Sequence, residues 1–158
     1  MKIHKLEYVT RIDAQLETVW QFFSSPKNLQ KITPKEMKFT IIDTVPGTTF
    51  QGQIIRYNIS PFLGIQFSWM TEITALKEKE YFIDEQRFGP YKFWHHTHAF
   101  KEYDGYVEMK DTLLYAFHGG CIGDIIQHRL LKTTIENIFT FRESVIQDIF
   151  KSGSSLTT

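Results

Sequence analysis

Apolar and polar residues alternate from the start of the chain. In residues 2–12, Ile3, Lys5 and Glu7 fall on one side and His4, Leu6 and Tyr8 on the other, the period of a strand. The period changes after Asp13, a residue type suited to an N-cap. Leu16, Val19, Trp20 and Phe23 follow at helical spacing. Ser25-Pro26 starts a second short helix with Pro26 in its first turn, Leu29 and Ile32 as its apolar contacts and Pro34 as its end. Strand-like runs then succeed one another: "MKFTIID", "TTFQGQIIRYNI", "IQFSWMTEIT", "YFIDEQRF", "KFWHHTHAF" and "YVEMKDTLLYAF". The links between the later runs are short: "SPFLG", "LKEKE", Gly89-Pro90, and Asp104-Gly105, a strong hairpin signal. Six such runs in succession predict an antiparallel meander.

"HGG" at 118–120 interrupts the pattern. Beyond Gly123 no Pro or Gly breaks the chain before Phe150, and Ile122, Ile126, Leu130, Ile138, Phe141, Val145 and Ile149 fall near one stripe. The spacing predicts one long helix, about 40 Å at 1.5 Å per residue. The fold class is therefore α+β. A curved antiparallel sheet of about seven strands wraps a long C-terminal helix, with two short helices after the first strand. Residues 1–150 make one domain, and the small polar residues of 151–158 predict a disordered tail.

Composition narrows the function. Lys+Arg and Asp+Glu balance at 18 each, with no basic run, so neither nucleic acid nor an anionic membrane is an expected partner. The single cysteine, Cys121, excludes an intrachain disulfide framework. The N-terminus lacks the apolar stretch of a signal peptide, and no window approaches the ~20 apolar residues of a membrane helix. A cytoplasmic protein without integral membrane association is the expectation. The 14 Phe, 7 Tyr and 3 Trp give more aromatic surface than packing alone requires.

Half of the six histidines lie in "GPYKFWHHTHAF". A two-residue turn at Asp104-Gly105 sets His98 opposite Asp111, His96 opposite Leu113 and Trp94 opposite Tyr115. That face also carries Phe100 and Met109 and should point inward, leaving His95 outward. A three-residue loop, Gly89 to Tyr91, sets Asp84 opposite His96, Phe82 opposite His98 and Gln86 opposite Trp94. Asp84, Gln86, His96, His98 and Asp111 then meet among aromatics, where polar groups must pair or find water. A carboxylate beside a histidine favours the imidazolium and burial opposes it.

Two imidazoles and a carboxylate are also metal-ligand types. The third and fourth ligands depend on inferred registers, and satisfied polar networks are common, so no metal is expected. No glycine-rich phosphate loop or nucleophile elbow occurs, and no cofactor is implied. Cys121 near the helix start reads as inert packing. Arg142 either pairs with an acidic residue of the sheet or lies at the surface.

The strings "FIDEQRFGPYKFWHHTHAF", "MKDTLLYAFHGGCIG" and "IFTFRE", with the order of elements, resemble the SRPBCC superfamily over about residues 1–150. This superfamily contains START-related lipid-transfer, birch-pollen-allergen-like and polyketide cyclase-like proteins. The similarity is to small bacterial members and implies a helix-grip fold, a curved sheet gripping a helix around a cavity. His118 stands where relatives often carry Pro and takes no role from them. The resemblance implies binding of a small hydrophobic or amphipathic molecule. Asp84, Gln86, His96, His98 and Asp111 would meet its polar end, and Tyr57, Trp69, Phe82, Trp94, Phe100 and Tyr115 would form the walls. The alternative is a cavity enzyme, cyclase- or hydrolase-like, with a His/Asp pair as general acid and base. A homodimer is compatible with either.

Overall fold

The computed structural model describes residues 2–62, 64–117 and 123–153. Seven strands form one antiparallel sheet: β1 (His4–Ile12), β2 (Thr40–Ile41), β3 (Ile54–Phe62), β4 (Ile65–Lys77), β5 (Tyr81–Phe88), β6 (Phe93–Tyr103) and β7 (Tyr106–Ala116). Their order is β1-β7-β6-β5-β4-β3-β2, so the meander runs across the sheet and β1 closes on the last strand. Helix α1 (Leu16–Phe23) and a 3₁₀ turn (Pro26–Asn28) follow β1, and a second 3₁₀ turn (Lys35–Met37) precedes β2. Helix α2 (Gly123–Gly153) packs against this sheet.

The two hairpins that set the faces have the registers expected from their turns. Tyr103 pairs with Tyr106 and His98 with Asp111 across Asp104-Gly105, where Gly105 takes a left-handed φ of 79°. Across the Gly89–Tyr91 loop, Asp84 pairs with His96 and Phe82 with His98. Alternation then buries Val107, Met109, Asp111, Leu113 and Tyr115 of β7 with His96, His98 and Phe100 of β6. His95 lies on the opposite face, half-buried, with Nδ1 2.7 Å from Glu85 Oε1.

The core has two apolar regions. One gathers Tyr57, Trp69, Leu113, Tyr115, Ile135 and Phe139. The other gathers Trp20, Phe82, Phe100, Met109, Ile146 and Phe150. On β7, Asp111 separates Met109 from Leu113; on β6, His98 and His96 separate Phe100 from Trp94. A polar band thus crosses the core where the two regions meet.

Several local expectations are corrected. The strand expected from "MKFTIID" is reduced to Thr40–Ile41, because Met37 closes a 3₁₀ turn, Lys38 turns left-handed (φ 47°) and Asp43 is bound by Arg56. The next strand starts at Ile54 rather than Thr48, since Gly52 turns at φ 85° and Thr49 N–H donates to Ser24 O. "SPFLG" is not all turn: β3 continues to Phe62 and the reversal comes at Gly64. Asp13 does not cap α1 but pairs with Arg11, and the Leu16 N–H donates instead to Glu102 Oε1 from β6. The helix runs through Gly153, into the stretch expected to be tail; residues 154–158, like His118, Cys121 and Ile122, lie outside the described residues.

The buried face of α2 is rotated from the expected stripe. Ile138, Phe141, Val145 and Ile149 are only half-buried, while Ile135, Phe139, Ile146 and Phe150 are buried. Spacing these four at 3.6 residues per turn puts Arg142 in the same stripe. Phe139 stacks on Tyr8 of β1 with ring centroids 4.0 Å apart, and Gln147 Nε2 donates to Arg11 O. Ile146→Ala should therefore lower unfolding free energy by about 2–5 kcal/mol, the range for a buried aliphatic truncation. Val145→Ala should cost less than half as much in the same urea titration; equal costs would contradict the rotation.

Candidate functional site

A cavity of about 160 Å³ lies between the sheet and α2. Its walls are mostly apolar: Met37, Phe39, Ile55, Tyr57, Trp69, Phe82, Tyr91, Trp94, Ile135 and Phe139 contribute. The Trp69 and Trp94 rings meet edge-on with centroids 5.2 Å apart, and Tyr91 packs on Trp94 at 4.7 Å. Asp84, His96, His98, Thr71 and Arg142 bring polar atoms to this wall.

Two histidines and two aspartates close into a ring. His98 Nε2 is 2.9 Å from Asp84 Oδ2. Its Nδ1 lies 2.8 Å from Asp111 Oδ1, off the line needed for a good hydrogen bond. His96 Nε2 is 2.8 Å from Asp111 Oδ1, and its Nδ1 is 3.6 Å from Asp84 Oδ2. The imidazoles lie 3.9 Å apart between centroids, and His98 stacks on Phe82 at 4.3 Å.

Burial and the neighbouring charges set the protonation of the ring. Burial disfavours a charged His98, but Asp111 and Asp84 on either side outweigh it, and its pKa is pushed up to about 9. Burial and the neighbouring His98 charge lower His96 despite Asp111 and Asp84, so His96 is neutral. It donates from Nε2 to Asp111, and its bare Nδ1 faces Asp84 across the longer gap. Burial raises Asp111 and Asp84, yet hydrogen bonds and charge from the two histidines hold both below the usual carboxylate range. Trp94 Nε1 donates to Asp84 Oδ1 at 3.3 Å. Among the described residues, Asp84, His96 and His98 each offer a ligand atom within 4.8 Å of the others, an arrangement that could hold a metal ion.

Of the eleven residues expected at the site, Tyr57, Trp69, Phe82, Asp84, Trp94, His96 and His98 line the cavity. Asp111 lies behind the histidines at 1% exposure. Phe100 packs away from the cavity beside Trp20, and Tyr115 lies in the core with Leu113. Gln86 is corrected: its carboxamide turns to the 89–91 loop, donating to Tyr91 O at 2.6 Å and accepting from Tyr91 N at 3.1 Å. Gly89 is the residue that allows this, because a Cβ there would collide with the Gln86 side chain.

Arg142 is the functional candidate that the sequence left unplaced. It lines the cavity, with Cζ 5.2 Å from the Phe139 ring centroid. Its Nε is buried and has no hydrogen-bond partner among the described residues. Trp69 Nε1 is likewise a buried donor without an acceptor. The 142 position was readable as cavity-facing only once the helix face was correctly rotated.

No family model and no curated protein sequence matches the chain. Solved structures do. The Zhui aromatase/cyclase from Streptomyces sp. R1128 superposes with a TM-score of 0.75 at 13% identity, over 95% of this chain and 94% of that one. A START superfamily protein from Mycobacterium smegmatis gives 0.68 at 13%, over 92% and 99%. The major latex-like protein 151 of Panax ginseng gives 0.67 at 14%, over 94% and 97%. The chain has the helix-grip fold that these structures share. At these identities the likeness carries the helix-grip architecture, not the chemistry hosted on it. Among the described residues no helix is long and apolar enough to cross a membrane.

The ring makes stability depend on pH in two directions. A raised His98 contributes fully below about pH 6.5 and its contribution is lost as pH rises toward 9, a loss of a few kcal/mol. A lowered His96 is destabilising below about pH 6.5, where its unfolded counterpart takes up a proton, and the lowered aspartates add to this below about pH 4. With chelator present, the thermal midpoint should peak near pH 6.5 and fall on both sides. A midpoint that climbs steadily from pH 6.5 to 9 would contradict the assignment.

Proposed function

We propose that the protein binds a small amphipathic molecule in the helix-grip cavity, with an apolar part about the size of one ring and a hydrogen-bond-accepting, anionic group. The carrying observation is the pair of buried donors at the wall, Arg142 Nε and Trp69 Nε1, neither with an acceptor among the described residues. A buried donor without a partner, here the Nε of a half-buried guanidinium, is costly, and a planar carboxylate matches its fork. The volume of about 160 Å³ supports the size, being close to that of a cavity known to take up benzene. Apolar walls with a few convergent polar groups are the usual make-up of such sites. The solved structures of this fold include a START superfamily protein and an aromatase/cyclase, so the fold alone does not choose between binding and catalysis. The unpaired donors favour binding, because they ask for a ligand group and not for a reaction.

Trp69 and Trp94 provide the readout, since both line the cavity. Titration with one-ring aromatic acids such as benzoate or phenylacetate should change tryptophan emission saturably. Ile138→Trp, at a half-buried wall position, should fill the space and abolish saturation without unfolding the protein. Absence of binding across such a panel, or binding unchanged by Ile138→Trp, would overturn the reading.

Arg142→Leu separates the head group from the cavity. Affinity for the acids should fall about 10-fold or more, the scale of one charge-assisted contact of ~1.5–3 kcal/mol. The corresponding neutral amides should bind the variant as they bind the wild type. Equal losses for acids and amides would remove the anionic group from the proposal.

A further inference from the structure

The four-residue ring has an inside and an outside. Asp84, His96 and His98 line the cavity, whereas Asp111 is sealed behind them. Asp111 Oδ1 lies 2.8 Å from His96 Nε2 and 2.8 Å from His98 Nδ1, so one carboxylate stands at the far nitrogen of both rings. The opposite nitrogens, His96 Nδ1 and His98 Nε2, face Asp84 Oδ2 at 3.6 and 2.9 Å. Trp94 Nε1 occupies the other oxygen of Asp84 and orients the carboxylate. We infer that Asp84, His96 and His98 form a two-histidine, one-carboxylate site for a divalent first-row transition ion, with Asp111 as the positioning carboxylate behind both imidazoles.

Each part of this geometry has a role in metal binding. A ligating imidazole commonly gives its second nitrogen to a carboxylate, which fixes the ring and raises its basicity. Here a single buried aspartate stands in that place for both rings. Bonds of about 2.0–2.2 Å put neighbouring donors about 3–3.5 Å apart in a tetrahedral site. The observed 2.9 and 3.6 Å straddle that spacing, so small side-chain shifts would admit an ion. Charge points the same way: an ion that displaces the proton from His98 Nε2 would meet two carboxylates and two neutral imidazoles, two negative charges that a divalent ion cancels in this buried setting. Imidazole with carboxylate suits Zn²⁺, Fe²⁺ or Co²⁺ better than Ca²⁺ or Mg²⁺. Three protein ligands on the cavity side leave coordination positions open to the cavity. The inference does not depend on the organic ligand, since a chain that takes up no aromatic acid can still bind the ion.

The test is titration of the chelator-treated full chain with Co²⁺ and with Zn²⁺, by calorimetry and by the Co²⁺ d–d absorption. Wild type should bind one ion per chain with micromolar or tighter affinity. His98→Ala should weaken binding at least 100-fold. Asp111→Asn should keep the one-to-one stoichiometry while losing about 10–100-fold, as expected of a group behind the ligands. His95→Ala, which removes the histidine paired with Glu85 on the opposite face, should leave affinity unchanged. Should His98→Ala fail to fold, the near-isosteric Asp84→Asn gives the same comparison. No saturable binding by wild type, unchanged affinity in both ligand variants, or loss in His95→Ala would each overturn the site.

Discussion

The arrangement of the core depends on one buried carboxylate. Asp111 is 1% exposed and sits between two apolar regions, where a lone negative charge would not be tolerated. It is tolerated because His96 and His98, two residues apart on β6, reach it from the neighbouring strand. Those histidines in turn need Asp84 on β5. Three adjacent strands are therefore locked in register by charge as well as by backbone ladders. A one-residue slip of β6 would turn both rings to the other face and leave both aspartates without partners.

Stability alone does not call for this ring. Desolvating four polar groups costs several kcal/mol per ion, and well-packed apolar residues of similar volume often do as well or better. The strands on either side of the band show such packing, with Met109 and Leu113 flanking Asp111. A polar band in that position is better explained by what it presents to the cavity than by what it adds to the core. The contrast with Arg142 is useful. The ring pairs most of its polar atoms within itself, leaving His98 Nδ1 and Asp111 Oδ2 without hydrogen bonds, while Arg142 Nε has no hydrogen-bond partner at all among the described residues.

How much was legible in the sequence follows from periodicity. The β6–β7 register was readable because Asp104-Gly105 admits few turn geometries, and the β5–β6 register because only one loop length puts Phe82 on the inner face. Those two hairpins brought Asp84, His96, His98 and Asp111 together. The misses have specific physical causes. Gln86 alternates inward by the period, but a nearby loop with free backbone groups captured its carboxamide, and Gly89 left the room. Phe100 and Tyr115 share the inner face with the histidines, yet a face is wider than a cavity. Periodicity does not single out the buried stripe of the helix because apolar residues cover more than one side of α2: Ile138, Phe141, Val145 and Ile149 form a second row beside the buried one, and only the buried row contains Arg142.

The rotation of α2 also bears on what the helix-grip fold fixes and what it leaves free. The sheet supplies a concave wall whose residues are set by strand register, and a register cannot drift. The helix supplies the opposite wall, and a turn of one residue, about 100°, exchanges the whole row that faces the cavity. In this chain the row that faces inward is Ile135, Phe139, Arg142, Ile146 and Phe150. Four of these are apolar and one is a cation, placed midway along the row. Of this row Ile135, Phe139 and Arg142 reach the cavity, with Ile138 beside them, and a helix turned by one residue would take the cation away while leaving Thr71, Asp84, His96 and His98 of the sheet in the wall. The helix therefore supplies the cation of the cavity, and the sheet supplies its histidines and carboxylate. Proteins of this architecture at 13–14% identity carry names as different as an aromatase/cyclase and a major latex-like protein, as expected where one fold hosts different sites.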